Sequence, residues 1–116
     1  MFAKENEYIE KKSKFYGFLI TEATEEKIKE GLELLRKEYK KATHICYAYS
    51  ISSPFSEKAV DDGEPSGTAG RPILSVIQKT KSKDVCVFIV RYFGGIKLGA
   101  GGLVRAYTKV TSELLR

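Results

Sequence analysis

Five of the nine residues at 94–102 are glycine, inside the stretch RYFGGIKLGAGGLVRAY at 91–107. Glycine loses more conformational freedom on folding than any other residue, so this density marks a place where the backbone must do what a Cβ atom forbids. The cluster also divides two elements. Upstream, VCVFIV at 85–90 is a near-continuous apolar run of the length of a central strand, and the reading places a strand over 84–92. Downstream, Leu103, Tyr107, Val110 and Leu114 recur at helical spacing, while Arg105, Lys109, Ser112 and Arg116 share another side. That pattern predicts a closing helix over 102–116 with one packed face and one basic face.

The rest of the chain falls into place around this unit. Residues 8–12 and 14–21 read as a hairpin, with Gly17 as a candidate bulge. Thr24 is a good N-cap, Glu25 and Glu26 follow it, and Lys37, Lys40 and Lys41 gather at the far end, charges that suit a helix dipole. Between them Ile28, Leu32, Leu35 and Tyr39 form one apolar stripe. Residues 44–51 predict a strand with Ile45, Tyr47, Tyr49 and Ile51 on one side and His44, Cys46, Ala48 and Ser50 on the other. Residues 52–70, broken by Pro54, Gly63, Pro65, Gly67 and Gly70, read as a long loop, and Pro72 opens a short helix to about residue 80. The order is ββαβαβα. It implies one α+β domain over 1–116, built as a two-layer sandwich.

With 42% apolar residues, the chain has material for one core. No run of eighteen apolar residues is present, and MFAKENEYIEKK lacks a signal-peptide core, so the expectation is a cytoplasmic protein without membrane contact. Cys46 and Cys86 lie in apolar strands and read as reduced, buried thiols. The net charge of +5 is unevenly spread. Residues 91–116 hold five bases and one acid, whereas 52–70 hold one base and four acids. A basic surface at and after the glycines favours an anionic partner, RNA among them.

Two readings of the glycines remain open on spacing alone. In one, free N–H groups at the start of the last helix, with Arg91, Lys97 and Arg105 beside them, attract phosphate. In the other, the glycines only permit tight turns and close packing. The patterns GxxxxGK[ST] and GxGxxG are both absent, which argues against a nucleotide-hydrolysing site. A second cluster, VDDGEPSGTAGRPI at 60–73, offers Asp61, Asp62 and Glu64, then Ser66, Thr68 and Arg71. These carboxylates suit a divalent cation, acid–base chemistry, or plain capping of backbone amides and pairing with Arg71 and Arg91. His44, the sole histidine, shares a strand side with Cys46, but without a fixed motif the set does not amount to a zinc site. No metal and no cofactor is expected. Tyr92 and Phe93 beside the basic residues are candidates to stack on bases, or core.

Three motifs, ATHICYAY at 42–49, DDGEPSGTAGRPIL at 61–74 and VRYFGGIKLGAGGLVRAY at 90–107, resemble the IMPACT/YigZ family. The resemblance spans essentially the whole chain. It implies the fold of that family's amino-terminal domain, similar to domain 2 of a small-subunit ribosomal protein and to domain IV of elongation factor G. That fold has a four-stranded sheet with helices on one face and can include a left-handed crossover. Bacterial members carry a further ferredoxin-like carboxy-terminal domain, expected to be absent here because the chain ends at Arg116. Eukaryotic members act as translational regulators through a protein partner. The resemblance therefore implies a non-enzymatic RNA-binding domain tied to translation, with RNA, the ribosome or a regulatory protein as partner. The alternatives are a metal-dependent enzyme acting on a small phosphorylated or nucleotide substrate, and a protein-interaction regulatory domain. On the family signature fall His44, Asp61, Asp62, Glu64, Ser66, Thr68 and Arg71 in the acidic loop. Arg91, Tyr92, Gly94, Gly95, Lys97, Gly101, Gly102 and Arg105 fall on it in the glycine segment. With Lys109, the latter set forms the expected anion-binding surface, and the acidic loop is expected to fold beside it.

Overall fold

Strands whose two sides are both apolar need cover on both faces, and the computed structural model, which describes residues 1–116, supplies it. Its elements are β1 (Lys4–Glu10), β2 (Ser13–Thr21), α1 (Glu25–Glu38), β3 (His44–Ser52), β4 (Phe55–Val60), α2 (Gly70–Lys79), β5 (Val85–Tyr92) and α3 (Gly99–Leu114). The strands form one antiparallel sheet in the order β1-β2-β5-β3-β4. As the continuous apolar run predicts, β5 is the central strand.

One face of the sheet, with Phe15, Leu19, Cys46, Ala48, Val87 and Ile89, packs under α2 and α3 through Ile73, Ile77, Leu103, Tyr107 and Val110. The other, with Phe18, Ile20, Ile45, Tyr47, Phe88 and Val90, packs under α1 through Ile28 and Leu35. The sheet thus has five strands and helices on both faces, which corrects the expected four-stranded, two-layer sandwich with helices on one side. The added strand is β4, inside the expected long loop 52–70. FSEKAV is polar and sits at the sheet edge, paired only with β3, so it needs no apolar alternation and leaves no periodic trace.

The β2–α1–β3 and β4–α2–β5 units each join parallel strands across one intervening strand, running opposite ways along the sheet with opposite strand directions. Two such units have the same hand only if their helices share a face. Here α1 and α2 lie on opposite faces, so one crossover is left-handed, an exception to the usual rule.

The predicted caps and stripes hold where they are local. Thr24 Oγ1 accepts from Lys27 N at 3.1 Å. In α3, Leu103, Tyr107, Val110 and Leu114 are buried and Arg105, Lys109 and Ser112 are exposed, as is Arg116 beyond its end. Gly17 is not a bulge. It pairs in unbroken register with Asn6 and Ile89, and a Cβ there would strike Val110 and Leu114 of α3. Lys11 and Lys12, with φ of 46° and 67°, turn the β1–β2 hairpin. Both cysteines are free and buried.

Candidate functional site

The site grows from one lateral row of the sheet. Phe15 of β2 and His44 of β3 both pair with Arg91 of β5, and strand alternation turns all three toward the face that carries α2 and α3. An arginine in that position is a buried charge, 5% exposed, and must be matched. Glu64, 6% exposed, matches it from the loop between β4 and α2: Arg91 Nη1 donates to Glu64 Oε1 at 2.9 Å and to Oε2 at 2.8 Å. Arg91 Nη2 donates to Ser13 Oγ at 3.1 Å. Its Nε has no acceptor. The Arg91 guanidinium also lies near two rings, 5.5 Å from the Phe15 centroid and 5.6 Å from that of Phe93.

Two further side chains approach the same carboxylate. Tyr107 of α3 donates to Glu64 Oε2 at 2.6 Å, and His44 Nε2 stands 3.4 Å from Oε1. The opposite ring nitrogen of His44, Nδ1, lies 2.7 Å from the Asp62 carbonyl and must therefore carry the hydrogen. Cys46 Sγ bonds the Asp61 carbonyl and the Tyr107 hydroxyl. Burial pushes the Cys46 thiol far above its ordinary range, and burial with the neighbouring Cys46 and Glu64 does the same for Tyr107. Both stay protonated.

Glu64 is placed by its own loop. Asp61 Oδ2 accepts from Gly67 N at 2.9 Å, and Oδ1 accepts from Ala69 N at 3.2 Å and Gly70 N at 2.8 Å, closing the loop and capping α2. Burial alone would raise the Asp61 pKa, but these three amides and nearby Arg71 outweigh it and hold the carboxyl below its usual value. Asp62 Oδ2 accepts from Ile45 N at 2.7 Å. The three carboxylates of DDGE thus face three different partners and do not converge on a cation position, and no cluster of three His, Cys, Asp or Glu side chains suited to a metal is present. Thr68 is buried, donating to the Pro65 carbonyl, while Ser66 and Arg71 are exposed.

The glycine segment lies against this loop. A cleft of about 370 Å³ is lined by Thr43, His44, Glu64, Pro65, Arg91, Phe93, Lys97, Leu98, Gly99, Ala100 and Leu103. The amino end of α3 opens into it without any side-chain cap, so its first N–H groups lack protein acceptors there. Gly95 and Gly99 adopt φ of 90° and 74° to make the turn, and Gly94 lets the backbone pass against that of Lys12. The turn-and-packing reading of the cluster holds: the glycines permit turns and close approach, and in doing so they bring a helix terminus to a cleft.

Not every expected residue is free to meet a ligand in the cleft. Arg91, expected to contact phosphate directly, is buried and committed to Glu64. Tyr92 is on the wrong side of the sheet, packed with Tyr16 and Tyr39 beneath α1, because β5 alternates. Its neighbour Phe93, 46% exposed, lines the cleft instead. Arg105 borders a smaller depression with Tyr8, Glu10, Lys11, Gly102 and Leu98, the last shared with the cleft. Lys109 stands over the Tyr8 ring, 3.6 Å from Glu113. Lys97, Lys11, Arg105 and Lys109 are all exposed. Tyr107 and Ser13 are site residues that pattern reading missed as partners, since only the packing of α3 and the hairpin brings them to Glu64 and Arg91.

Comparison with known proteins agrees with this architecture. Residues 11–115 match the family model of the Impact N-terminal domain. The protein "IMPACT family member YvyE" of Bacillus subtilis (strain 168) is 50% identical over 112 residues, which cover 96% of this chain and 52% of that protein. The chain spans about half the length of the curated relatives it matches. A crystal structure of a hypothetical protein superposes on all of this chain and 59% of its own, with a TM-score of 0.88 and 36% identity. The structure of Yih1, described as a two-domain translational regulator, shares the fold over 94% of this chain and 45% of its own, with a TM-score of 0.63 and 24% identity.

Proposed function

Since this chain belongs to the IMPACT family, through an Impact N-terminal domain that covers residues 11–115, we propose that it serves the regulation of translation, and that it does so by binding RNA. The first half of the reading follows the solved relative described as a translational regulator. The second rests on one observation: an uncapped helix start and Lys97 meet at a cleft, and exposed Lys11, Arg105 and Lys109 continue from its rim along α3 and the β1–β2 turn. A helix start with neighbouring cations attracts phosphate through its amides and its dipole. Cations spaced along a surface suit a phosphate chain better than a single small anion. Arg91 acts here as scaffold and makes no phosphate contact of its own. Glu64 neutralises it, and the pair holds the acidic loop against β5 so that the cleft keeps its shape.

The enzyme alternative loses its support because Asp61, Asp62 and Glu64 are each spent on a structural partner. RNA affinity measured across a salt series tests the proposal. Binding should weaken linearly in log–log form, and Lys97→Ala with Arg105→Ala should flatten the slope by about 1.4, at roughly 0.7 for each single-strand phosphate left without its cation. Absence of binding, or an unchanged slope in that double variant, would reject the reading.

A further inference from the structure

The cleft holds more than cations. The Arg91 guanidinium lies 5.5 Å from the Phe15 ring centroid and 5.6 Å from that of Phe93, and the two rings differ sharply in exposure: Phe15 is fully buried and Phe93 is 46% exposed. Arg91 is thus held from the core side, while the Phe93 ring reaches solvent. An open aromatic face backed by a fixed cation is a platform for another flat π-system. Around it, Leu98, Leu103 and Pro65 give the cleft apolar walls. Its polar lining is Thr43, His44, the Glu64–Arg91 pair and Lys97, with the amides that begin α3. Arg91 is a nine-tenths-buried polar side chain of this lining that still has one N–H, at Nε, without an acceptor. The volume of about 370 Å³ lies at the small end of ligand sites, which run from roughly 300 to 1,000 Å³.

We infer that this cleft takes one unpaired nucleotide of the bound RNA, its base stacked on the outer face of Phe93 and its phosphate at the amino end of α3 beside Lys97. The inference rests on the RNA-binding reading and narrows it to single-stranded segments. A base inside a duplex is covered on both faces by its neighbours and presents nothing for Phe93 to stack on, whereas an unstacked base presents its whole π-face. Stacking does not depend on base identity, so the preference is for strandedness more than for sequence.

The test uses fluorescence anisotropy of the intact protein with a short single-stranded oligoadenylate and with a blunt-ended RNA duplex, for the parent and for Phe93→Ala. The exposed position of Phe93 leaves the core untouched, and far-UV circular dichroism checks that the variant is folded. The single strand is expected to bind more tightly than the duplex. Phe93→Ala is expected to weaken the single strand by about 5- to 150-fold, the range for removal of one base–aromatic stack, and to leave the duplex unaffected. Binding of both RNAs with equal affinity and no effect of Phe93→Ala would overturn the nucleotide cleft and leave RNA binding standing. Binding of neither RNA would overturn the underlying reading itself.

Discussion

Replacing Glu64 by Gln changes charge while keeping shape, and its cost can be worked from the geometry around the carboxylate. Arg91 Nη1 and the Tyr107 hydroxyl donate to it, and His44 Nε2 stands close by. A glutamine amide must turn its NH₂ toward at least one of these donors. The guanidinium, 5% exposed, then has no counter-charge. Breaking a buried pair by removing one partner costs about 3–5 kcal/mol. A chain of this length has a total stability of about 6–17 kcal/mol, so the loss is large but need not unfold it. The midpoint temperature should fall by about 10–20 °C. Urea unfolding followed by circular dichroism reads the difference directly. Glu64→Leu combined with Arg91→Met removes both charges and should lie closer to the parent than either single variant, since apolar replacement of a buried pair is often neutral. A loss below about 1 kcal/mol for Glu64→Gln, or a double variant as poor as the two single losses summed, would refute the view that charge matching organises this site.

Two further outcomes follow from the neighbouring loops. Asp61 has a carboxyl pKa held below its ordinary value in the folded protein, so its contribution is present above about pH 4 and fades as pH falls through the lowered folded value. Asp61→Asn should reduce stability at neutral pH by about 0.5–2 kcal/mol and flatten the acid limb of the stability–pH curve; an unchanged acid limb would count against the assignment. Gly94→Ala should destabilise by about 1–3 kcal/mol, because its Cβ would run into the Lys12 backbone, which can move only with the whole hairpin turn. Equal stability of Gly94→Ala and the parent in urea would show that the turn yields freely.

The sequence shows its local features well. Thr24 caps α1 through its own side chain, the stripe of α3 packs as spaced, and VCVFIV becomes the central strand because an unbroken apolar run tolerates cover on both faces. The edge strand β4 is invisible for the converse reason, since FSEKAV takes its place from pairing with β3 rather than from any burial pattern of its own. The site is legible in part. Lys97 and the glycines are marked by composition, and the loop of DDGEPSG does fold beside them. Which of two adjacent aromatics faces the cleft is not legible, because strand parity reverses the side at every residue and depends on where the strand ends.

By itself the sequence determines the elements other than β4, the position of the charges and the need for a bare backbone near the last helix, since each of these follows from a residue's own stereochemistry or from spacing along one element. Tertiary structure alone decides what the charges do. Arg91 looks like a ligand contact in the linear order and becomes a buried strut once β2, β3 and the acidic loop close around it, because a guanidinium removed from water must take the nearest carboxylate. Phe93, one residue beyond the end of the strand, is left exposed to the cleft for the same reason of packing.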